Sequence, residues 1–270
     1  MITLLDGSCG SFLWDLAEER GIEKLPPWLY SIEQPGIVLE MHKRYVEAGS
    51  RMIQTNTFSL NRDSLARKPV CSMEQLVKAA VSLAKQATEG TGVKVYLSSG
   101  PLTRLLEPYG NLKKEECAEI YREIFTPAVE AGADAIMLET FMDIEMMKIA
   151  ASEAKKYGVP VICSMTFEKR RRTMMGNTVE QICKALEPLG IDAIGMNCSK
   201  GPVEGLEIIK EFSEKTSLPL YFKPNSGLGE SYGPEDFARE LEAAIPFVSY
   251  IGGCCGCNDA YIKALKALIS

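Results

Sequence analysis

The sequence has almost no histidine and no excess of positive charge. It contains a single histidine, His42, so any site for a soft metal must be built mainly from sulfur. The formal net charge of −6 gives no reason to expect a nucleic-acid partner, because proteins that bind nucleic acids usually carry a basic face. The sequence therefore argues against a histidine-rich metal centre and against nucleic-acid binding.

Long apolar runs are also missing. No stretch is long enough to cross a bilayer, and the chain opens on the strand-like segment MITLLDG. That opening has neither the basic lead-in nor the small-residue cleavage site of a secretory signal. We therefore expect a cytoplasmic protein without a membrane partner.

The nine cysteines are many for a chain in a reducing compartment, where disulfides are rare. Those that stand singly among apolar or helical residues are Cys71, Cys117, Cys163 and Cys183. For these four we expect simple packing, because a buried cysteine behaves as a small hydrophobe. Cys254, Cys255 and Cys257 differ, because they cluster beside glycines. This cluster is the first candidate for chemistry.

Short apolar runs alternate with segments of helical spacing along the whole chain. The runs cover residues 2–5, 52–55, 93–97, 135–138, 159–163, 193–196, 218–222 and 247–251. The helical segments that we expect most clearly are 73–88, 115–131, 144–157, 179–189, 203–215, 234–244 and 259–269. Continuous apolar runs are typical of parallel strands buried on both faces. Eight strand–helix units predict one domain over residues 1–270, a single (β/α)₈ TIM barrel.

An open, doubly wound sheet is the alternative fold. It has no support from a dinucleotide fingerprint, because the spacing of Gly7 and Gly10 is wrong and we expect no helix directly after them. Residues 10–35 are predicted to be the longest irregular connection and to cover one end of the barrel.

Functional groups of such barrels collect where the strands end. The sixth run leads into Asn197 and Cys198, and the eighth leads into Cys254 and Cys255. Three thiolates on one rim would give zinc three protein ligands and leave one position open, as in a catalytic site. The glycines before Cys254 let the backbone turn sharply enough for adjacent cysteines to face one metal. A chance pair and a redox-active disulfide of adjacent cysteines remain alternatives.

Five segments together carry a resemblance to a known family. They are Leu4-Leu5-Asp6-Gly7, Gln54-Thr55-Asn56-Thr57-Phe58, Leu138-Glu139-Thr140-Phe141, Gly195-Met196-Asn197-Cys198-Ser199 and Gly252-Gly253-Cys254-Cys255-Gly256. In order and content the sequence resembles the homocysteine S-methyltransferase family. That family includes betaine-dependent and S-methylmethionine-dependent enzymes and the homocysteine module of cobalamin-dependent methionine synthase.

The resemblance implies a function and a set of site residues. The zinc ligands would be Cys198, Cys254 and Cys255, and the zinc-activated thiolate of homocysteine would accept the methyl group to form methionine. Glu139 would take the amino group of homocysteine. The substrate-binding residues implied beside it are Asp6 and Asn197. No further catalytic residue is expected.

The methyl donor and the acceptor are less well defined by the sequence. Nothing in it resembles a cobalamin-binding or folate-binding domain, so the donor would be a small sulfonium or ammonium compound or a separate corrinoid protein. The short connections after the strands favour the corrinoid protein. Two features near the site depart from the usual pattern of the family. Gly100-Pro101 is followed by Leu102-Thr103, and Cys9 and Cys257 are additional cysteines. We expect both cysteines to serve only in packing.

Three other functions remain open. The acceptor could be another thiol. A lyase or aldolase could use Lys223 to form a Schiff base, although this would leave the three cysteines unexplained. A zinc-storing or redox-sensing barrel without catalysis is the third alternative.

Overall fold

Eight parallel strands form one sheet in the computed structural model, which describes residues 2–227 and 232–269. They are β1 Thr3–Leu4, β2 Met52–Gln54, β3 Lys94–Ser99, β4 Ala135–Phe141, β5 Val161–Met165, β6 Ala193–Cys198, β7 Leu220–Pro224 and β8 Tyr250–Ile251. Each strand from β2 to β7 pairs with the next in the chain, and β8 pairs with β1. A parallel bridge between Leu5 and Met52 joins β1 to β2 and closes the barrel. The predicted (β/α)₈ barrel is confirmed, and the open sheet was the wrong alternative.

Helices follow the strands around the barrel. They are α1 Cys9–Glu19, α2 Tyr30–Glu33, α3 Pro35–Ala48, α4 Arg62–Arg67, α5 Met73–Thr88, α6 Lys114–Glu130, α7 Ile144–Ala154, α8 Val179–Leu186, α9 Pro202–Lys215, α10 Pro234–Leu241 and α11 Asp259–Ile269. Ser72 and Thr178 begin α5 and α8 with capping boxes, each closed by a glutamine three residues on. The predicted helices over 144–157, 179–189 and 234–244 each end in a 3₁₀ turn.

The prediction of an irregular connection over 10–35 was wrong. Helix α1 begins at Cys9, separated from the first strand by four residues, and the side chain of Ser8 caps it by accepting a hydrogen bond from the backbone N–H of Ser11. Phe12, Leu13 and Leu16 form its buried face, at the spacing of an amphipathic helix. The glycine in its first turn hid this pattern, because glycine is unfavourable inside a helix.

The core has two parts. Between the sheet and the helices lies the larger part, and the barrel interior holds a smaller apolar cluster that includes Leu5, Met52, Met137 and Tyr221. Towards the carboxyl ends of the strands the buried interior turns polar. The buried polar side chains there include Gln54, Ser98, Glu139, Asn197 and Lys223. This polar layer places functional groups beneath the rim where (β/α)₈ barrels bind their substrates. None of the described helices is both long and apolar enough to span a bilayer.

Candidate active site

Three cysteine thiols converge on the rim of the barrel. Cys198 ends β6, and Cys254 and Cys255 lie in the turn after β8. Their sulfur atoms all lie within 4.8 Å of one another, and the Sγ atoms of Cys198 and Cys255 are 3.6 Å apart. Cys198 and Cys254 are half-buried, whereas Cys255 is exposed. Among residues 2–227 and 232–269 this is the only group of three or more side chains of the metal-ligating types that meets in this way.

The backbone is shaped to bring these thiols together. Cys198 has a φ of 58°, in the left-handed region that residues with a side chain seldom adopt. On the other side, a Cβ atom on Gly252 would lie 2.6 Å from the backbone oxygen of Asp6, and one on Gly253 would lie 2.4 Å from the Cβ of Cys257. The two glycines therefore let the chain after β8 pass directly against its neighbours. The backbone N–H of Cys254 then donates to the backbone oxygen of Pro224 at 2.8 Å.

The thiols are hard to ionise as a group. Hydrogen bonding to Cys198 raises the pKa of Cys254 to about 12; burial adds to this rise, and hydrogen bonding to Cys255 opposes it. The pKa of Cys198 rises to about 11, because hydrogen bonding to Cys255 and burial outweigh the opposite effect of Cys254. Three thiolates this close repel one another, so a cation among them would stabilise their ionised forms. A set of three sulfur donors that is open on one side fits zinc.

Glu139 lies near the cysteines in an irregular part of β4. The pairing of β4 with β5 shifts register between Leu138 and Phe141, and Thr140 has a φ of 62°. Such irregularities re-aim side chains near active sites. The buried Glu139 carboxylate accepts hydrogen bonds from the hydroxyl of Ser98 and, at 3.4 Å, from Nδ2 of Asn197. Burial raises the pKa of Glu139, although the charge of Lys223 and the Ser98 hydrogen bond oppose this.

Asn197 connects this carboxylate to the rest of the site. Its Oδ1 accepts hydrogen bonds from the backbone N–H of Thr140 and from the hydroxyl of Ser164, both at 2.8 Å. Its Nδ2 donates to the Oγ1 of Thr140 at 2.7 Å and lies 3.7 Å from the Sγ of Cys254. Both ends of the amide are occupied, so Asn197 holds the irregular strand end in place.

Asp6 lies across the barrel in an ion pair with Lys223. The Nζ of Lys223 lies 2.7 Å from Oδ1 of Asp6, and both side chains are buried. Tyr96 donates its hydroxyl to the same Oδ1 at 3.0 Å, and the backbone N–H of Gln54 donates to Oδ2 at 2.7 Å. Burial lowers the pKa of Lys223, but attraction to Asp6 outweighs it and the net shift is upward. Lys223 is thus a charged ammonium group and a poor nucleophile, which disfavours a Schiff base.

The two additional cysteines lie in the protein interior. Cys9 is 5% exposed, and its Sγ donates to the backbone oxygen of Gln54 at 3.5 Å. Cys257 is fully buried, and its backbone oxygen accepts hydrogen bonds from Ser8 and Tyr45. Neither belongs to the three-thiol group, in agreement with the expected packing roles.

Several polar residues of the site were given no role of their own in the sequence. Ser98 donates to Glu139, and Gln54 and Tyr96 donate to Asp6. Lys223 was considered only as a Schiff-base residue. The signal that could have found Lys223 is alternation along its strand. Tyr221 belongs to the interior cluster, so the residue two positions on also points inwards.

These features define a (β/α)₈ barrel protein with a candidate sulfur-ligated metal centre at the carboxyl ends of its strands. Residues 3–269 match the family model described as homocysteine S-methyltransferase, and the chain therefore belongs to this family of methyltransferases.

Two curated relatives are methionine synthases. The chain is 29% identical to that of Mycobacterium tuberculosis over 291 aligned residues and 28% identical to that of Mycobacterium leprae. In both cases the alignment covers 98% of this chain but 24% of the relative, so the chain spans about a quarter of the length of these proteins.

Solved structures with the same fold include the homocysteine methyltransferase MmuM from Escherichia coli. Its metallated form superposes with a TM-score of 0.80 at 23% identity, covering 98% of this chain and 96% of that one. Its oxidized form superposes with a TM-score of 0.82, also at 23% identity, covering 98% of this chain and 95% of that one. At this identity the likeness is one of fold.

Proposed function

We propose that this protein is a zinc-dependent thiol S-methyltransferase that methylates homocysteine to methionine. The observation that carries the proposal is the group of three thiols on the barrel rim, with sulfur atoms within 4.8 Å of one another and one side open. Membership of the homocysteine S-methyltransferase family supports the reaction and the acceptor. The reduced thiols that the proposal requires fit a cytoplasmic location.

Cys198, Cys254 and Cys255 would hold the zinc. When bound, zinc favours the thiolate form of an acceptor thiol, whose ordinary pKa near 8.5 leaves only a small ionised fraction at neutral pH. In the transfer itself, a carbon–sulfur bond forms to the acceptor and the bond from the methyl carbon to the donor breaks. The electron pair of that bond leaves with the donor, and the thiol proton passes to solvent.

The carboxylate of Glu139 would bind the ammonium group of homocysteine. Its hydrogen bonds come from Ser98 and Asn197, which are neutral and leave its negative charge uncompensated by direct contact. Holding the amino-acid end there would fix the sulfur at the cysteines, which converts an encounter of two molecules into an oriented reaction. Asn197 would act by positioning, because its amide is already engaged. Asp6 remains a predicted substrate residue from the sequence, and its environment is considered further below.

The methyl donor would be a separate corrinoid protein, with a small sulfonium or ammonium compound as the alternative. The similarity to methionine synthases of about four times this length supports a corrinoid-linked donor. The donor would approach the open side of the three thiols, where Cys255 is exposed.

A non-catalytic role, in redox sensing or zinc storage, is the second candidate. One distance between two sulfur atoms favours the redox role. The Sγ atoms of Cys198 and Cys255 are 3.6 Å apart, close enough that a small movement would allow a disulfide. All nine cysteines of the chain are free thiols in the structure.

One experiment separates these functions. Protein is purified under reducing conditions without chelator, its zinc is counted, and methionine formation from L-homocysteine is measured with methylcobalamin, S-methylmethionine and betaine. We expect about one zinc per chain and methionine from methylcobalamin. Zinc without methylation of homocysteine or of 2-mercaptoethanol by any donor would favour storage. Absence of zinc from reduced, metal-replete protein would overturn the proposal.

A further inference from the structure

Lys223 is enclosed by oxygen atoms inside the barrel. Its side chain is 1% exposed, and its Nζ lies 2.7 Å from Oδ1 of Asp6, 3.0 Å from Oε1 of Gln54, 3.3 Å from the backbone oxygen of Gly7 and 3.3 Å from the hydroxyl of Tyr96. An ammonium group has three protons to donate, so these neighbours satisfy it completely. Lys223 therefore has no capacity left for a substrate and acts on the residues around it.

Asp6 is also engaged inside the barrel, where it accepts three hydrogen bonds. One of its oxygens accepts from Lys223 and Tyr96, and the other accepts from the backbone N–H of Gln54. Its side chain is 0% exposed. A substrate ammonium group could reach this carboxylate only by displacing a buried lysine, and the displaced charge would have no other partner.

Glu139 offers the contrasting case. Its two described hydrogen bonds come from a hydroxyl and an amide, which are neutral donors. It also lies on the same side as the metal site, since Asn197 contacts both Glu139 and Cys254. The charges of Asp6 and Lys223 cancel, which leaves Glu139 as the one uncompensated carboxylate of the three groups.

We infer that Lys223 occupies Asp6 as an internal counter-ion and so leaves Glu139 as the sole carboxylate for the acceptor's ammonium group. This inference rests on the proposed function and revises one part of it, since the sequence assigned the substrate to both carboxylates. The acceptor class is a thiol with one ammonium group at its far end. Lys223 and Asp6 form a fixed, buried pair inside the barrel.

The experiment compares two ligands in zinc-loaded protein. L-homocysteine carries the ammonium group, and 4-mercaptobutyrate has the same chain and thiol without it. Calorimetry gives the two dissociation constants, and their ratio measures recognition of the ammonium group alone. Because both ligands bind through a thiol, a general change in the metal site cancels in the ratio.

The variants are Asp6→Asn/Lys223→Met, which removes both charges of the pair together, and Glu139→Gln. In Glu139→Gln we expect the preference for homocysteine to fall about tenfold or more, because a charge-assisted hydrogen bond is lost. In the double variant we expect the preference to stay within about threefold of wild type, because losing the pair of Asp6 and Lys223 removes no contact with the ammonium group. Circular dichroism confirms folding, and Asp6→Asn/Lys223→Gln replaces the first double variant if that one does not fold.

The results distinguish two kinds of failure. If wild-type protein binds and methylates homocysteine but the double variant loses the preference as fully as Glu139→Gln does, Asp6 contacts the substrate and the inference is overturned. If wild-type protein shows no preference for homocysteine over 4-mercaptobutyrate, the proposed acceptor itself is wrong and the inference fails with it.

Discussion

The Nδ2 atom of Asn197 lies 3.7 Å from the Sγ of Cys254, and the same atom lies 3.4 Å from the carboxylate of Glu139. One buried amide therefore joins a candidate metal ligand to the candidate substrate carboxylate. A shift of either group is transmitted to the other through a side chain that has no free rotation, because Thr140 and Ser164 hold its remaining atoms.

Replacing Asn197 by alanine should weaken acceptor binding more than the chemical step. The substitution removes the group that fixes Glu139 and the irregular end of β4, so the carboxylate loses its orientation. We expect the KM for homocysteine to rise about tenfold, corresponding to one hydrogen bond of average strength or slightly more. Steady-state kinetics with kcat and KM measured separately test this. Asn177→Ala is the matched control, because the described side-chain hydrogen bond of Asn177 stays within its own loop, to Thr173. A KM unchanged in Asn197→Ala would contradict the positioning role.

Cys198→Ser should lose both zinc and methyl transfer while the barrel still folds. A serine hydroxyl is not a thiolate donor, and two sulfurs hold zinc less firmly than three. Metal analysis should show zinc falling from about one per chain to a small fraction of that. Cys71→Ser is the control, since Cys71 is half-buried and outside the three-thiol group. Full activity in Cys198→Ser would remove the proposed site from consideration.

Lys223→Met alone should destabilise the fold strongly. The substitution leaves the Asp6 carboxylate buried without its cation, a change that typically lowers the free energy of unfolding by about 3–5 kcal/mol. Adding Asp6→Asn should restore much of that loss, because no uncompensated charge remains. Urea denaturation of wild type, both single variants and the double variant measures the coupling between the two side chains. Additive effects of the two substitutions would show that the pair is not a unit.

His42 should make the protein sensitive to acid. It is fully buried in α3 without a described hydrogen-bond partner for either ring nitrogen, and burial lowers its pKa from 6.5 to about 3. The unfolded chain takes up a proton below pH 6.5 whereas the folded protein does not, so this contribution to stability is present above pH 6.5 and is lost as the pH falls.

Between pH 7 and pH 5 the loss due to His42 should be about 2 kcal/mol. His42→Leu keeps the apolar volume and removes the titrating group, so the variant should lose less stability over the same interval. Urea denaturation at the two pH values measures the difference. An equal loss in both proteins would place the acid sensitivity elsewhere.

Much of the fold could be predicted because the strands are continuous apolar runs and the helices start at recognisable caps. The helix over 179–189 is an example, since Thr178 and Gln181 mark its start in the sequence itself. Helix α1 was missed because its first turn contains Gly10, and glycine is unfavourable inside a helix.

The candidate site was predictable to the extent that it depends on position along strands. Cys198, Cys254 and Cys255 stand at strand ends, and the ends of parallel strands share one rim. The ion pair between Asp6 and Lys223 was not predictable in the same way, because 217 positions separate its members. Their contact depends on how the side chains of β1 and β7 fill the closed barrel, and only the three-dimensional register decides that.

The left-handed backbone at Cys198 sets stability and function against each other. A residue with a Cβ in that conformation carries a strain of about 1–2 kcal/mol that glycine escapes. Selection for heat resistance alone would therefore favour glycine at position 198, whereas selection for growth that depends on the enzyme making its product would retain cysteine. The identity of this one residue after laboratory evolution would then report which of the two pressures had acted on the population.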